Sequence, residues 1–152
     1  MSKDTNTVLV VDDERDVAEG YALWLEDDYD VLVATGGAEA LEKAHEADAV
    51  LLDRRMPGMS GDEVLERLRE ADYDCRVAMV TAVDPDFDMM KMPFDAYLTK
   101  PVGRDGLRAT VEQLLDLSEY DDAVREQFRF AEKQANLEML NPRPNSRKAR
   151  ST

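Results

Sequence analysis

"VLVVDDERD", residues 8–16, is the stretch whose reading decides the fold. Val8 to Val11 are apolar at every position and run straight into two adjacent carboxylates, Asp12 and Asp13, with Glu14 next. A strand with one wet face alternates, so an unbroken apolar run is a strand covered on both faces. Carboxylates side by side repel, and burying them is costly unless something neutralises them. Two readings of the acids follow. They cap the next helix, or they hold a cation.

The same pattern recurs along the chain. Val31–Ala34, Ala49–Leu52 (ending at Asp53), Val77–Val80 and Ala96–Leu98 are further short apolar runs. Between them lie amphipathic stretches. Residues 14–28 place Val17, Tyr21, Trp24 and Leu25 on one helical face, and Ala38–Ala47 form a short helix after the Gly36-Gly37 turn. Ser60, with Glu63 three residues on, starts a helix running to about Ala71, and a long helical pattern begins near Asp105. Strands buried on both faces and alternating with helices predict an α/β domain, a doubly wound five-stranded parallel sheet. In such sheets polar groups beyond the carboxyl ends of the strands meet in one crevice. That rule selects Asp12, Asp13, Asp53, Thr81 and Lys100-Pro101.

Bulk composition narrows the chemistry. The 152 residues carry 34 acids against 19 bases, a net charge of −15, and 35% of them are charged. This predicts a heavily solvated acidic surface of the kind suited to high salt, and it argues against nucleic acid or anionic membrane as partners. The single cysteine, Cys75, excludes an internal disulfide, and the single histidine, His45, sits on a polar helix. Histidine-based metal sites and Ser-His-Asp chemistry are therefore disfavoured. The polar N-terminus lacks a signal-peptide pattern and no apolar run approaches ~18 residues, so a cytoplasmic location is expected.

Clustered carboxylates suit a hard cation such as Mg²⁺, with water or phosphate oxygens completing its shell. Without metal, their repulsion raises at least one carboxyl pKa. Lys100 adds an ammonium that can hold a phosphoryl oxygen, and Thr81 adds a hydroxyl. An aspartate among these groups is a candidate nucleophile toward phosphorus.

The motifs "VLVVDDE", "LLDRRMPGMSGDE", "VAMVTA" and "AYLTKP" stand in this order, each at a strand end. Over residues 7–117 they resemble the receiver domain of two-component response regulators. The resemblance implies a flavodoxin-like sheet of order 2-1-3-4-5 and a phosphoacceptor at Asp53, phosphorylated by a sensor histidine kinase. It implies Mg²⁺ bound directly by Asp13 and Asp53, by Asp12 mostly through water, and by the backbone carbonyl of Arg55. Thr81 and Lys100 would contact the phosphoryl group, Tyr97 would be the aromatic that follows Thr81 as a switch, and Pro101 would follow a cis bond.

Several features depart from the pattern. Arg55 overhangs the site and is expected to pair with Glu14 or another acid and to modulate water access. "AVDPDFDMMKMPFDAYLT", residues 82–99, is short, with Pro85 and Pro93 bracketing about two helical turns. Met89, Met90 and Met92 there form either an adaptable contact surface or core filler. "LLDLSEYDDAVREQFRFAEKQANLEML", residues 114–140, places Leu117, Tyr120, Val124, Phe128, Ala131 and Ala135 on one helical face. It resembles the start of the HalX-type helical segment of haloarchaeal receiver proteins, which suggests either a homodimer through this helix or packing back on the receiver. The expected organisation is a receiver at 1–117, a HalX-like helical segment at 118–140 and a basic disordered tail at 141–152. No helix-turn-helix pattern supports a DNA-binding output. A haloacid-dehalogenase-type phosphohydrolase uses similar groups but wants Asp-x-Asp after its first strand, and the chain has Asp12-Asp13-Glu14 there.

Overall fold

The computed structural model describes residues 5–82 and 91–117. β1 (Thr7–Val11), β2 (Asp30–Ala34), β3 (Ala49–Asp53), β4 (Arg76–Thr81) and β5 (Ala96–Thr99) form one sheet. All four pairings are parallel, as the apolar runs predict, and the order is β2-β1-β3-β4-β5, as the resemblance implies. The helices are α1 (Arg15–Leu25), α2 (Gly37–Lys43, followed by a 3₁₀ turn at Ala44–Glu46), α3 (Gly61–Glu70) and α4, residues 104–117.

Alternation within the strands builds two cores. Leu9, Val11, Val50, Leu52, Val77 and Met79 face one side, where α2 and α3 supply Ala40, Val64, Leu65 and Leu68. Val8, Val10, Leu51, Ala78 and Val80 face the other, against Ala18, Tyr21 and Leu25 of α1 and Leu107, Val111 and Leu114 of α4. Every residue of β1 and β3 is buried, which is why both read as unbroken apolar runs. Each such Leu or Val removed from water contributes about 1.5–3 kcal/mol.

Some boundaries differ from expectation, for local reasons. The first helix was expected to reach Asp28 but stops at Leu25. Glu26, Asp27 and Asp28 would place negative charge against the negative end of the helix dipole. Arg108 of α4 instead closes that end, donating to the Trp24 carbonyl at 2.7 Å and bonding the Asp28 carboxylate. The second helix tightens into its 3₁₀ turn after Lys43. The Lys43 ammonium bonds Glu39 at 2.9 Å and the Val33 carbonyl of β2 at 2.7 Å.

Asp95, just before β5, is a structural anchor that the sequence did not reveal. Its carboxylate accepts from Arg76 (2.9 Å), Arg69 (3.2 Å) and the Val77 amide (2.9 Å). Arg69 also donates to the Tyr73, Cys75 and Pro93 carbonyls, so the end of α3 and the approach to β5 are clamped together. Met92 is partly buried against the α2–α3 core. Met89 and Met90, the expected short helix before Lys91, and the segments 118–140 and 141–152 lie outside the described residues.

Candidate functional site

The carboxyl ends of β1, β3, β4 and β5 bring the selected residues to one rim. β1 runs out into Asp12, whose amide donates to the Ala34 carbonyl at 3.1 Å. Asp12 is 1% exposed and Asp53, the last residue of β3, is 6% exposed. Asp13 is exposed, and oxygens of the three carboxylates lie within 4.8 Å of one another. Neither Asp12 nor Asp13 caps the next helix: Glu14 holds that position, without a side-chain cap bond. Asp12 instead accepts the Glu14 amide at 2.9 Å, which leaves its other oxygen, and all of Asp13, to the site.

Lys100 neutralises part of this charge. Its ammonium lies 3.2 Å from Asp12 and 3.6 Å from Asp53. The Lys100-Pro101 bond is cis, and the Lys100 amide donates to the Thr81 carbonyl at 2.7 Å. Thr81 is buried at the end of β4 beside Thr99. Tyr97 on β5 is 44% exposed and meets Phe94 edge-on.

Electrostatics match the geometry. Burial first, then Asp12, pushes the Asp53 carboxyl from 3.8 up to about 6; Lys100 pulls it down and Asp13 pushes it up. Burial pulls the Lys100 ammonium down, but Asp53 and Asp12 together outweigh it and its pKa is raised. Tyr21, which the sequence reading counted only as core, belongs to the same field. Burial raises its phenol, Lys100 lowers it, and Asp12 and Asp53 raise it. By contrast, burial pushes the Cys75 thiol up, as for a packing residue, and His45 is exposed beside Glu46.

The loop after Asp53 differs from expectation. Arg55 is exposed and makes no ion pair with Glu14 or any other acid among the described residues. Arg54 makes the pair instead, its Nε 3.1 Å from Asp62 in the first turn of α3. Arg54 also donates its amide to Val80 and accepts the Gly61 amide at 2.8 Å. A Cβ on Gly61 would lie 2.2 Å from the Asp53 carbonyl, so only glycine fits this neck. Ser60 caps α3 as predicted, accepting the Glu63 amide at 3.2 Å. Gly58 holds φ +78°, which lets the loop turn back. Arg54, Arg55, Met56, Pro57, Ser60 and Asp62 line an open cleft of about 480 Å³ along this loop, and none of Asp12, Asp13 and Asp53 lines it.

The donor set fits a hard divalent ion. Two oxygens held by one Mg²⁺ sit roughly 3–4 Å apart, so three carboxylates within 4.8 Å need only small adjustment. All donors are oxygen, and neither thiol nor imidazole is near to recruit a softer metal.

Comparison with known proteins agrees with this geometry. Residues 8–112 match the response regulator receiver domain family. A Haloferax volcanii protein named "Putative transcriptional regulator" is 50% identical over 133 residues, covering 86% of this chain and 23% of that protein. The alkaline phosphatase synthesis transcriptional regulatory protein PhoP of Bacillus subtilis is 36% identical over 118 residues, covering 74% of this chain and 49% of that protein. A CheY-like receiver domain from Methanospirillum hungatei superposes with a TM-score of 0.71 at 26% identity, covering 78% of this chain and 99% of that one. The chain thus spans about half or less of the length of these two curated relatives.

Proposed function

The chain belongs to the response regulator receiver domain family, a family of phosphorylation-activated signalling domains, and from that premise we propose that Asp53 is its phosphoacceptor. The observation that carries this reading is the position of Lys100, whose ammonium touches both Asp12 and Asp53 from a strand end far away in sequence. A carboxylate oxygen of Asp53 attacks the phosphorus of a phosphohistidine on a sensor histidine kinase. The P–N bond breaks, the electron pair leaves with the imidazole nitrogen, and an aspartyl phosphate forms. The site's residues position and neutralise; no protein base is needed. Lys100 and the Thr81 hydroxyl receive phosphoryl oxygens, and Lys100 loosens its hold on Asp12 as it does so.

Asp13, Asp53 and the Arg55 carbonyl are the direct Mg²⁺ ligands in this reading, with Asp12 mostly acting through water. Bound Mg²⁺ supplies positive charge against which the carboxylates and the phosphoryl oxygens can approach one another. Tyr97 is the switch aromatic: as Thr81 moves toward the phosphoryl group, space opens and the ring turns inward. Arg55, free of acid partners among the described residues, modulates water access from the cleft side.

The finer assignments rest on likeness. The Haloferax protein aligns over 133 residues, beyond the 8–112 of the receiver match, which supports a HalX-like segment after the receiver and a halophilic setting. A homodimer through that segment is the corresponding assembly. No described helix is long and apolar enough to cross a membrane. A haloacid-dehalogenase-type hydrolase is disfavoured by the adjacent Asp12-Asp13 and by Asp53 ending the third strand.

The test is acetyl phosphate with and without Mg²⁺, read by intact mass and light scattering. One phosphoryl group should add only with Mg²⁺, and Asp53→Asn should abolish it. Steady turnover of phosphate esters, or labelling that survives Asp53→Asn, would overturn the assignment.

A further inference from the structure

Contacts among the described residues close the neck of the loop between Asp53 and α3, and three of them bear on its geometry. Two are backbone: the Arg54 carbonyl accepts the Gly61 amide at 2.8 Å, and Gly61 lies against the Asp53 carbonyl where no side chain fits. The third joins side chains. Arg54 Nε reaches both oxygens of Asp62, at 3.1 and 3.3 Å, and the Arg54 side chain is only 12% exposed. The loop so closed carries Arg55, whose carbonyl is a metal ligand in the reading above.

We propose that the Arg54–Asp62 pair is a positioning element for that carbonyl, and so sets the affinity of the site for Mg²⁺; this rests on the reading of Asp53, Asp13 and the Arg55 carbonyl as ligands. The reasoning is geometric. Arg54 is the residue between the acceptor carboxylate and the ligand carbonyl, so rotation of its backbone swings both. Its amide is fixed to Val80 of β4 and its carbonyl to Gly61. Those bonds hold the Arg54–Arg55 peptide, one residue ahead of the Arg55 carbonyl, and the contact of Arg54 Nε with both Asp62 oxygens adds a side-chain restraint on the same residue. One charged N–H shared between two carboxylate oxygens, at 3.1 and 3.3 Å, restrains the direction of the side chain as well as its distance. Asp62 is itself held in the first turn of α3, where a negative charge suits the helix dipole.

Charge alone makes the opposite prediction for one of the partners. A cation near a Mg²⁺ site weakens metal binding through space, so removing the Arg54 charge would tighten it. A positioning role means that removing it weakens binding.

The experiment is Mg²⁺ titration calorimetry on the full chain in concentrated KCl, for Arg54→Gln, Asp62→Asn and the double variant. Melting in EDTA is measured in parallel to confirm that each variant folds. The expected result is weaker Mg²⁺ binding, about threefold to tenfold, in both single variants, with the double variant no weaker than the worse single one. Asp62→Glu, which keeps the carboxylate, should restore part of the affinity. Tighter or unchanged binding in Arg54→Gln, or additive losses in the double variant, would overturn the proposal. If Asp53→Asn leaves Mg²⁺ binding unaltered, the ligand assignment itself fails, and the positioning role falls with it for that separate reason. If Arg54→Gln does not fold, Asp62→Asn and Asp62→Glu decide alone: a loss that the longer carboxylate partly reverses supports the proposal, and any other pattern overturns it.

Discussion

Replacing the acceptor carboxyl by its amide should stabilise the metal-free protein at neutral pH. Asp53 titrates at about 6 in the folded chain against 3.8 when unperturbed. Its folded pKa is raised, so the native state binds the proton more tightly than the unfolded state does. The group therefore favours the fold at low pH, and that contribution is lost as pH rises through 3.8 toward 6. Above this window both states are ionised, and the native state holds a carboxylate it disfavours by about 3 kcal/mol. Asp53→Asn removes that burden. It also removes one partner of the Lys100 ammonium, a contact at 3.6 Å on a side chain 28% exposed. The attraction of that ammonium is already contained in the raised value of about 6. The net gain is about 3 kcal/mol. Urea unfolding in EDTA and concentrated KCl measures it. At about pH 4.5 the carboxyl burden has shrunk by about two-thirds, so the variant's advantage should fall to about 1 kcal/mol. Mg²⁺ at a hundredfold its dissociation constant returns about 2.7 kcal/mol to the parent protein and should nearly close the difference. A variant no more stable than its parent in EDTA at neutral pH, or an advantage independent of pH, would refute the reasoning.

Two further outcomes are expected from the same structure. Gly61→Ala forces a methyl against the Asp53 carbonyl and should destabilise the fold by about 3 kcal/mol while suppressing phosphorylation, measured by urea unfolding and intact mass. Asp95→Asn strips Arg69 and Arg76 of their shared carboxylate, 15% exposed, and should lower stability by about 2 kcal/mol. Because Asp95 sits at the opposite end of the sheet from Asp53, phosphorylation by acetyl phosphate should survive that change at temperatures where the variant is folded.

The sheet was legible because burial on both faces leaves a signature in single strands. Val8–Val11 and Ala49–Leu52 could be read without knowing their neighbours, and β1 and β3 need no more than one added residue at one end of each. The strand-end rule then located Asp12, Asp13, Asp53, Thr81 and Lys100 without coordinates. What escaped depends on contacts between distant segments. The early end of α1 reflects Arg108 reaching across from α4. Asp95 looked like a loop acid, since nothing in "PFDAY" says that two arginines from α3 and β4 converge there. The neighbouring arginines were the subtlest case. Arg54 and Arg55 are identical in type, and only the direction of each side chain leaving the strand decides that the first meets Asp62 and the second faces solvent. Asp62, eight residues beyond Arg54, was the available signal, since an acid in the first turn of a helix often recruits a nearby base.

The ammonium of Lys43 has a consequence for how such chains behave in a crowd. Asp30 and Ala34 of β2 spend their main-chain bonds on β1 and its flanks, so Val33 between them turns its carbonyl to the open side of the sheet. That oxygen is the one Lys43 occupies. In dilute buffer a charge of −15 keeps molecules apart, but at 1 M salt the screening length falls to about 3 Å and mutual repulsion fades. A bare parallel edge would then be an invitation to strand-by-strand stacking. A lysine tethered across it by Glu39 makes any newcomer displace a charge-assisted bond first, a guard against clumping that keeps working where ions have silenced long-range repulsion.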